Sequence, residues 1–106
     1  MGNPEGKSTA LIAYITLVGA IIAIFMNQEP KHEFARFHIR QAFGLHLVFH
    51  GLAIVLSNTG LPFAWVFLYL VFFGLWLFAL IGATQNQRKE LPLLGSYFQK
   101  WFTFIS

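Results

Sequence analysis

The chain has 106 residues, of which 57% are hydrophobic and 10% charged, and its mean hydropathy is +0.62. A composition with 13 Phe and 3 Trp is too apolar for a water-soluble domain of this length, and the absence of cysteine excludes disulfides, thiolate metal sites and cysteine nucleophiles. The seven Lys and Arg flank apolar runs, so contact with anionic lipid head groups is expected and nucleic-acid binding is not. These features predict an all-α integral membrane protein with a single membrane domain over residues 1–106.

Three apolar runs predict three transmembrane helices. The first covers residues 9–26, which would be about 27 Å long as a helix and so close to the hydrocarbon thickness of a bilayer. The second covers residues 34–56 and the third residues 61–83. The connector between them, residues 57–60, is short, uncharged and typical of a turn, so these two helices should form a tight hairpin.

The C-terminal segment, residues 91–105, is too short to cross a bilayer comfortably. Its large apolar side chains fall on one helical face, which predicts an amphipathic helix along the membrane interface. Lys100 should face water. The side chains predicted to dip into lipid are Leu94, Phe98, Trp101 and Phe102.

The distribution of basic residues predicts an orientation. With three spans, the amino terminus and residues 57–60 share one side, which holds only Lys7. The other side holds six basic residues: Lys31, Arg36, Arg40, Arg88, Lys89 and Lys100. The positive-inside rule then places the amino terminus outside and the carboxyl terminus in the cytoplasm, in what should be a bacterial inner membrane.

Polar residues are concentrated where the second predicted span begins. Arg36, Phe37, His38, Arg40 and Gln41 form this group. Ionisable and amide side chains carried into a membrane helix need partners, so we interpret the group as a cluster that anchors the helix to its neighbours or to a partner chain. A ligand site is the first alternative, and a proton or ion path is the second.

His46 and His50 lie deeper in the same span and are four residues apart, the spacing with which two helical histidines can grip one metal ion. The intervening residues lack the glutamate of a zinc hydrolase, and the first and third spans hold no histidine to complete a haem site. We therefore predict no metal and no cofactor, and expect neutral imidazoles that bond to hydroxyls or carbonyls or face another subunit. A ligand role for His46 and His50 is the alternative.

The carboxylates argue against coupled transport and catalysis. All four, Glu5, Glu29, Glu33 and Glu90, lie outside the apolar runs, so no intramembrane acid is available to relay protons. The sequence also lacks a phosphate-binding glycine loop, a nucleophile elbow and paired carboxylates at catalytic spacing. We predict that the protein is not an enzyme.

A short motif at the second span carries a family resemblance. Residues 33–42 include the pattern Phe-His-x-x-Gln-Ala, formed by Phe37, His38, Gln41 and Ala42. This pattern resembles a broad family of small bacterial membrane proteins that are similar to the protein import component of the chloroplast inner envelope. The resemblance covers roughly residues 8–95 and implies a helical bundle that belongs to, or assists, a larger membrane assembly.

The sequence therefore predicts a non-catalytic small subunit or accessory factor of a multiprotein membrane complex, with protein translocation as the first candidate process. Its expected partners are anionic lipids and other membrane subunits. The competing hypothesis is a membrane protein that binds haem, quinone or metal through the histidines of the second helix.

Overall fold

A computed structural model describes residues 4–91 and 94–105, which contain five α-helices and no strand and are 72% helical. The all-α prediction is confirmed. In chain order, the helices are α1 (Lys7–Ile15), α2 (Leu17–Met26), α3 (Glu33–Ser57), α4 (Ala64–Thr84) and α5 (Gly95–Trp101).

The second and third predicted spans correspond to α3 and α4. With 25 and 21 residues, these helices are about 37 and 31 Å long, and both are long and apolar enough to cross a membrane. Much of α4 is outward-facing, with Phe67 69% and Leu70 63% exposed. Large apolar side chains exposed to this extent suit a lipid environment.

The first predicted span is wrong, because the chain breaks at Thr16. This residue has extended backbone angles, φ −152° and ψ 173°, and its Oγ1 accepts a hydrogen bond from the amide of Gly19 at 3.0 Å. That bond is an N-terminal cap, so it starts a new helix where the apolar run alone predicted a continuous one. The resulting α1 and α2 are about 13 and 15 Å long, and neither can cross a bilayer.

The start of α1 and the end of α2 lie at the same end of the molecule. Gly6, just before α1, lies so close to His32 that a Cβ atom on Gly6 would be only 2.7 Å from Cβ of His32. In the first turn of α1, Nζ of Lys7 donates a hydrogen bond to the carbonyl of Thr84 at 2.9 Å. At the end of α2, Oδ1 of Asn27 accepts from the amide of His32 at 3.0 Å. We call α1 and α2 the re-entrant hairpin.

The re-entrant hairpin changes the predicted topology. Since Lys7 contacts Thr84, the amino-terminal segment lies at the same end of the molecule as the start of α3 and the end of α4. This geometry is incompatible with an amino terminus on the opposite side from the loop before α3. The predicted orientation depended on three crossings, and the side of the membrane that each end faces stays a prediction.

The C-terminal helix α5 is shorter than predicted, with seven residues, and positions 92–93 of the predicted segment lie outside the described residues. Phe98 is fully buried against α3, where its ring fills the space left by the missing side chain of Gly44. The prediction that Phe98 dips into lipid is therefore wrong. Trp101, by contrast, is 60% exposed.

Candidate functional site

Tyr14, His38 and Gln41 form a buried hydrogen-bonded group that we call the polar clamp. His38 and Gln41 lie three residues apart on one face of α3, and Tyr14 lies in the last turn of α1. The three residues are fully buried. Polar groups in such surroundings are costly unless every donor and acceptor is paired, so the geometry of each bond matters.

The hydrogen bonds fix the protonation pattern of His38. Its Nε2 lies 2.7 Å from the carbonyl oxygen of Gln87, which can only accept, so Nε2 carries the proton. Its Nδ1 lies 2.6 Å from Oη of Tyr14. Because the amide of Gln41 donates to that same oxygen at 3.0 Å, the tyrosine hydroxyl is free to donate to Nδ1. The imidazole is therefore neutral and fully bonded.

Gln41 binds an extended piece of backbone as a neighbouring strand would. Its Nε2 donates to the carbonyl of Lys89 at 3.1 Å, and its Oε1 accepts from the amide of Leu91 at 2.8 Å. Together with the bond from His38 to Gln87, these contacts pin residues 87–91 against α3. Two side chains on one face of α3 thus hold the segment that follows α4 in a fixed position.

The structure separates Arg36 and Arg40 from the polar clamp. Arg36 lies 3.9 Å from Glu33, whereas Nε and Nη2 of Arg40 donate to the carbonyl of Ile105 at 3.2 and 2.9 Å. Phe37 packs edge-on against the ring of His38, at 5.0 Å between centroids. The five residues predicted as one cluster therefore divide into a buried clamp and a cationic surface, and their assignment to partner binding stays a prediction.

Among the described residues, His46 is a buried polar residue whose side chain has no well-formed hydrogen bond. It is 2% exposed, and neither ring nitrogen has a well-formed partner, although the carbonyls of Ala13 and Tyr14 face the ring. His50 stacks on it, with centroids 5.7 Å apart and planes 2° from parallel. The described residues contain no group of three or more His, Cys, Asp or Glu that could hold a metal ion. A ligand role for the pair stays a prediction.

Sequence reasoning missed Tyr14 and Trp76. The indole Nε1 of Trp76 in α4 donates to the carbonyl of Tyr14 at 2.6 Å, a carbonyl that the break at Thr16 deprives of its helical partner. A signal was present, because a lone tyrosine hydroxyl inside an apolar run needs a buried partner. The sequence could not show which partner, since Trp76 lies 62 residues away.

A comparison with known protein families identifies the family of this chain. A family model described as the magnetosome magnetite crystal formation protein family, MamF/MmsF, matches residues 5–98. The chain belongs to this family. The match covers both arms of the re-entrant hairpin, the polar clamp and the apolar helices α3 and α4. Searches of curated proteins and of solved structures returned no significant match.

Membership in the MamF/MmsF family corrects the earlier resemblance. The Phe-His-x-x-Gln-Ala pattern lies inside the matched region, but that region identifies a magnetite crystal formation family and not relatives of the chloroplast import component. The link to protein translocation, which came from the resemblance alone, is not supported. A short pattern of six residues was too little to separate two families of small helical membrane proteins.

Proposed function

We propose that this protein takes part in magnetite crystal formation as a non-catalytic accessory protein of the magnetosome membrane. The observation that carries the proposal is the family match, which extends over residues 5–98. Two helices long and apolar enough to cross a membrane support the placement in a bilayer. The expected partners are anionic lipids and other membrane proteins of the same compartment.

The charge distribution supports a cytoplasmic position for the end of the molecule where the amino-terminal segment before α1 and the helix α5 lie. Contacts of Lys7 with Thr84, and of Gln99 with Phe37, bring the amino-terminal segment and α5 to the end where α3 begins. All seven Lys and Arg of the chain belong to segments at this end. The connector at the other end, residues 57–60, is uncharged. A seven-to-none asymmetry favours a cytoplasmic basic end.

The hydrogen bonding of the polar clamp supports a structural role for its residues. The side-chain groups of Tyr14, His38 and Gln41 bond to one another and to backbone atoms of residues 87–91, so they are engaged before any ligand arrives. A catalytic acid or base needs a free face toward its substrate. We infer that the clamp holds the fold together and that the protein acts through its surfaces.

The proposal is tested by deleting the gene in a magnetite-forming bacterium that encodes this chain. Electron microscopy should show magnetosome compartments in normal number with crystals of altered size or shape. Wild-type protein should restore the crystals, and Gln41→Leu should restore them less well than the surface control Gln28→Leu. Unchanged crystals in the deletion strain would contradict a role in crystal formation, and loss of the compartments themselves would contradict an accessory role.

A further inference from the structure

A cationic groove lies at the basic end of the molecule, beside the polar clamp but separate from it. It has a volume of about 250 Å³ and is open to the surroundings. Three elements meet there: the first turns of α3, the segment after α4, and α5. The lining residues are Glu33, Arg36, Phe37, Arg40, Arg88 and Gln99.

Hydrogen bonds from His38, Gln41 and Gln99 hold the groove in shape. Bonds from His38 to Gln87 and from Gln41 to Lys89 fix the backbone on both sides of Arg88. In α5, Nε2 of Gln99 donates to the carbonyl of Phe37 at 2.8 Å and holds this helix against α3. The guanidinium of Arg88 is thereby carried on a fixed backbone next to α3, with Nη2 3.7 Å from a carboxylate oxygen of Glu33. Pre-positioned donors lose less entropy on binding than mobile ones.

The charges in the groove are not balanced. Three arginines and one carboxylate line the groove, and that carboxylate, Glu33, lies 3.9 Å from Arg36 and 3.7 Å from Arg88. Both distances exceed those of charge-assisted hydrogen bonds, and the Glu33 side chain is 71% exposed, so the ion pairs contribute little. Arg36 and Arg40 are four residues apart on one helix, where like charges repel. A bound anion would relieve this repulsion.

We propose that the groove formed by Arg36, Arg40 and Arg88 binds a phosphate oxyanion. Guanidinium groups present paired N–H donors that match the oxygens of phosphate, and Arg36 on α3 and Arg88 after α4 both line the groove. The phosphate is carried either by the head group of an anionic phospholipid or by free phosphate. Its position at the ends of α3 and α4 is where lipid head groups lie. This site is independent of the proposed role in crystal formation.

Binding is measured with the full chain purified in a neutral detergent. The probes are dihexanoyl phosphatidylglycerol, inorganic phosphate, and dihexanoylglycerol, which has the same tails without the phosphate. Arg36→Gln and Arg88→Gln should each weaken phosphate-dependent binding about tenfold, because each removes a charge-assisted contact. The matched control is Lys100→Gln, which removes the same charge next to Gln99 from a position that does not line the groove. Circular dichroism verifies that each variant is folded.

The outcomes separate the two phosphate sources and the alternatives. Binding of phosphatidylglycerol without competition by inorganic phosphate identifies a lipid head group, and saturable binding of inorganic phosphate that displaces the lipid identifies free phosphate. Equal weakening by Lys100→Gln would show that only diffuse surface charge is involved and would overturn the proposal. So would equal binding of dihexanoylglycerol, or no binding of either phosphate probe.

Discussion

The hydroxyl of Tyr14 lies 2.6 Å from Nδ1 of His38, and this contact joins the re-entrant hairpin to the first long apolar helix. Tyr14 sits just before the break at Thr16, whereas His38 sits in the second turn of α3. Because the imidazole also bonds to Gln87, the same ring connects the beginning of the chain with the segment after α4. The polar clamp is therefore a junction of three parts of the chain.

Tyr14→Phe should destabilise the protein. The substitution keeps the ring but removes the hydroxyl, which leaves Nδ1 of His38 and one N–H of Gln41 buried without partners. Each unpaired buried group costs about 1–3 kcal/mol, so the free energy of unfolding should fall by at least that amount in a titration with a denaturing detergent. Tyr97→Phe is the matched control, since Tyr97 is 50% exposed on α5 and should change stability little. Equal stability of the two variants would contradict the clamp.

Gln41→Leu should release the segment after α4 without unfolding α3. The amide of Leu91 donates to Oε1 of Gln41, so its hydrogen exchange should be slow in the wild type and fast in the variant. Amides in the middle of α3 should keep their protection. Gln28→Leu changes the same residue type at an exposed position and should leave the exchange of Leu91 unaltered. Slow exchange of Leu91 in Gln41→Leu would mean that another group holds this segment.

Gly44→Ala should displace α5. A Cβ atom at position 44 would lie 2.5 Å from the ring of Phe98, and such an overlap forces the ring or the helix to move. Overpacking of this kind typically costs about 1–3 kcal/mol. Gly51→Ala is the control on the same helix, because a Cβ atom there meets nothing within 4 Å; it should be neutral or slightly stabilising. The double variant Gly44→Ala with Phe98→Leu should recover part of the loss, and equal melting temperatures of the two alanine variants would contradict this packing.

Two histidines of α3 should respond in opposite directions to replacement by leucine. His46→Leu removes two buried nitrogens without well-formed hydrogen bonds and should raise the free energy of unfolding by about 1 kcal/mol. His38→Leu breaks bonds to Tyr14 and Gln87 and should lower it by about 2 kcal/mol. Equal destabilisation by both substitutions would show that His46 has a partner of its own.

Cysteine labelling can test the re-entrant hairpin directly, since the chain contains no native cysteine. Cysteines at Glu5 and Gln28 should react with an impermeant thiol reagent from the same side of the membrane, and a cysteine at Thr59 should react from the other side. All three positions are exposed. If Glu5 instead reacted together with Thr59, the first apolar run would cross the membrane after all.

The sequence predicted the long helices better than the short ones, for a physical reason. The length and the mostly apolar composition of α3 and α4, with 25 and 21 residues, are themselves the signal for these helices. The run at residues 9–26 is apolar in the same way, and hydropathy carries no information about where a helix reverses. Thr16 was an ambiguous sign, because a threonine inside an apolar helix also bonds back to its own helix. Only its cap to Gly19 distinguishes the two cases.

The sequence indicated which residues form the candidate site, but it could not indicate their hydrogen-bond partners. His38 and Gln41 stood out as polar groups on one helical face, yet their partners are separated from them by 24 to 50 residues. Two of these partners are backbone carbonyls, at Gln87 and Lys89, which no side-chain pattern reveals. The amphipathic pattern of residues 91–105 likewise could not tell whether Phe98 faces lipid or packs against another helix. The missing side chain of Gly44, which leaves room for the Phe98 ring on α3, was a sequence feature that favoured packing.

The re-entrant hairpin gives the molecule an unequal cross-section. The arms of the hairpin are about 13 and 15 Å long, roughly half of the 30 Å hydrocarbon thickness. In the proposed placement, the leaflet at the basic end surrounds four helices, whereas the opposite leaflet surrounds only α3 and α4. Each copy is then a wedge that takes more area from one leaflet than from the other. A membrane that gathers many such wedges in one orientation bends so that it is convex on the basic side.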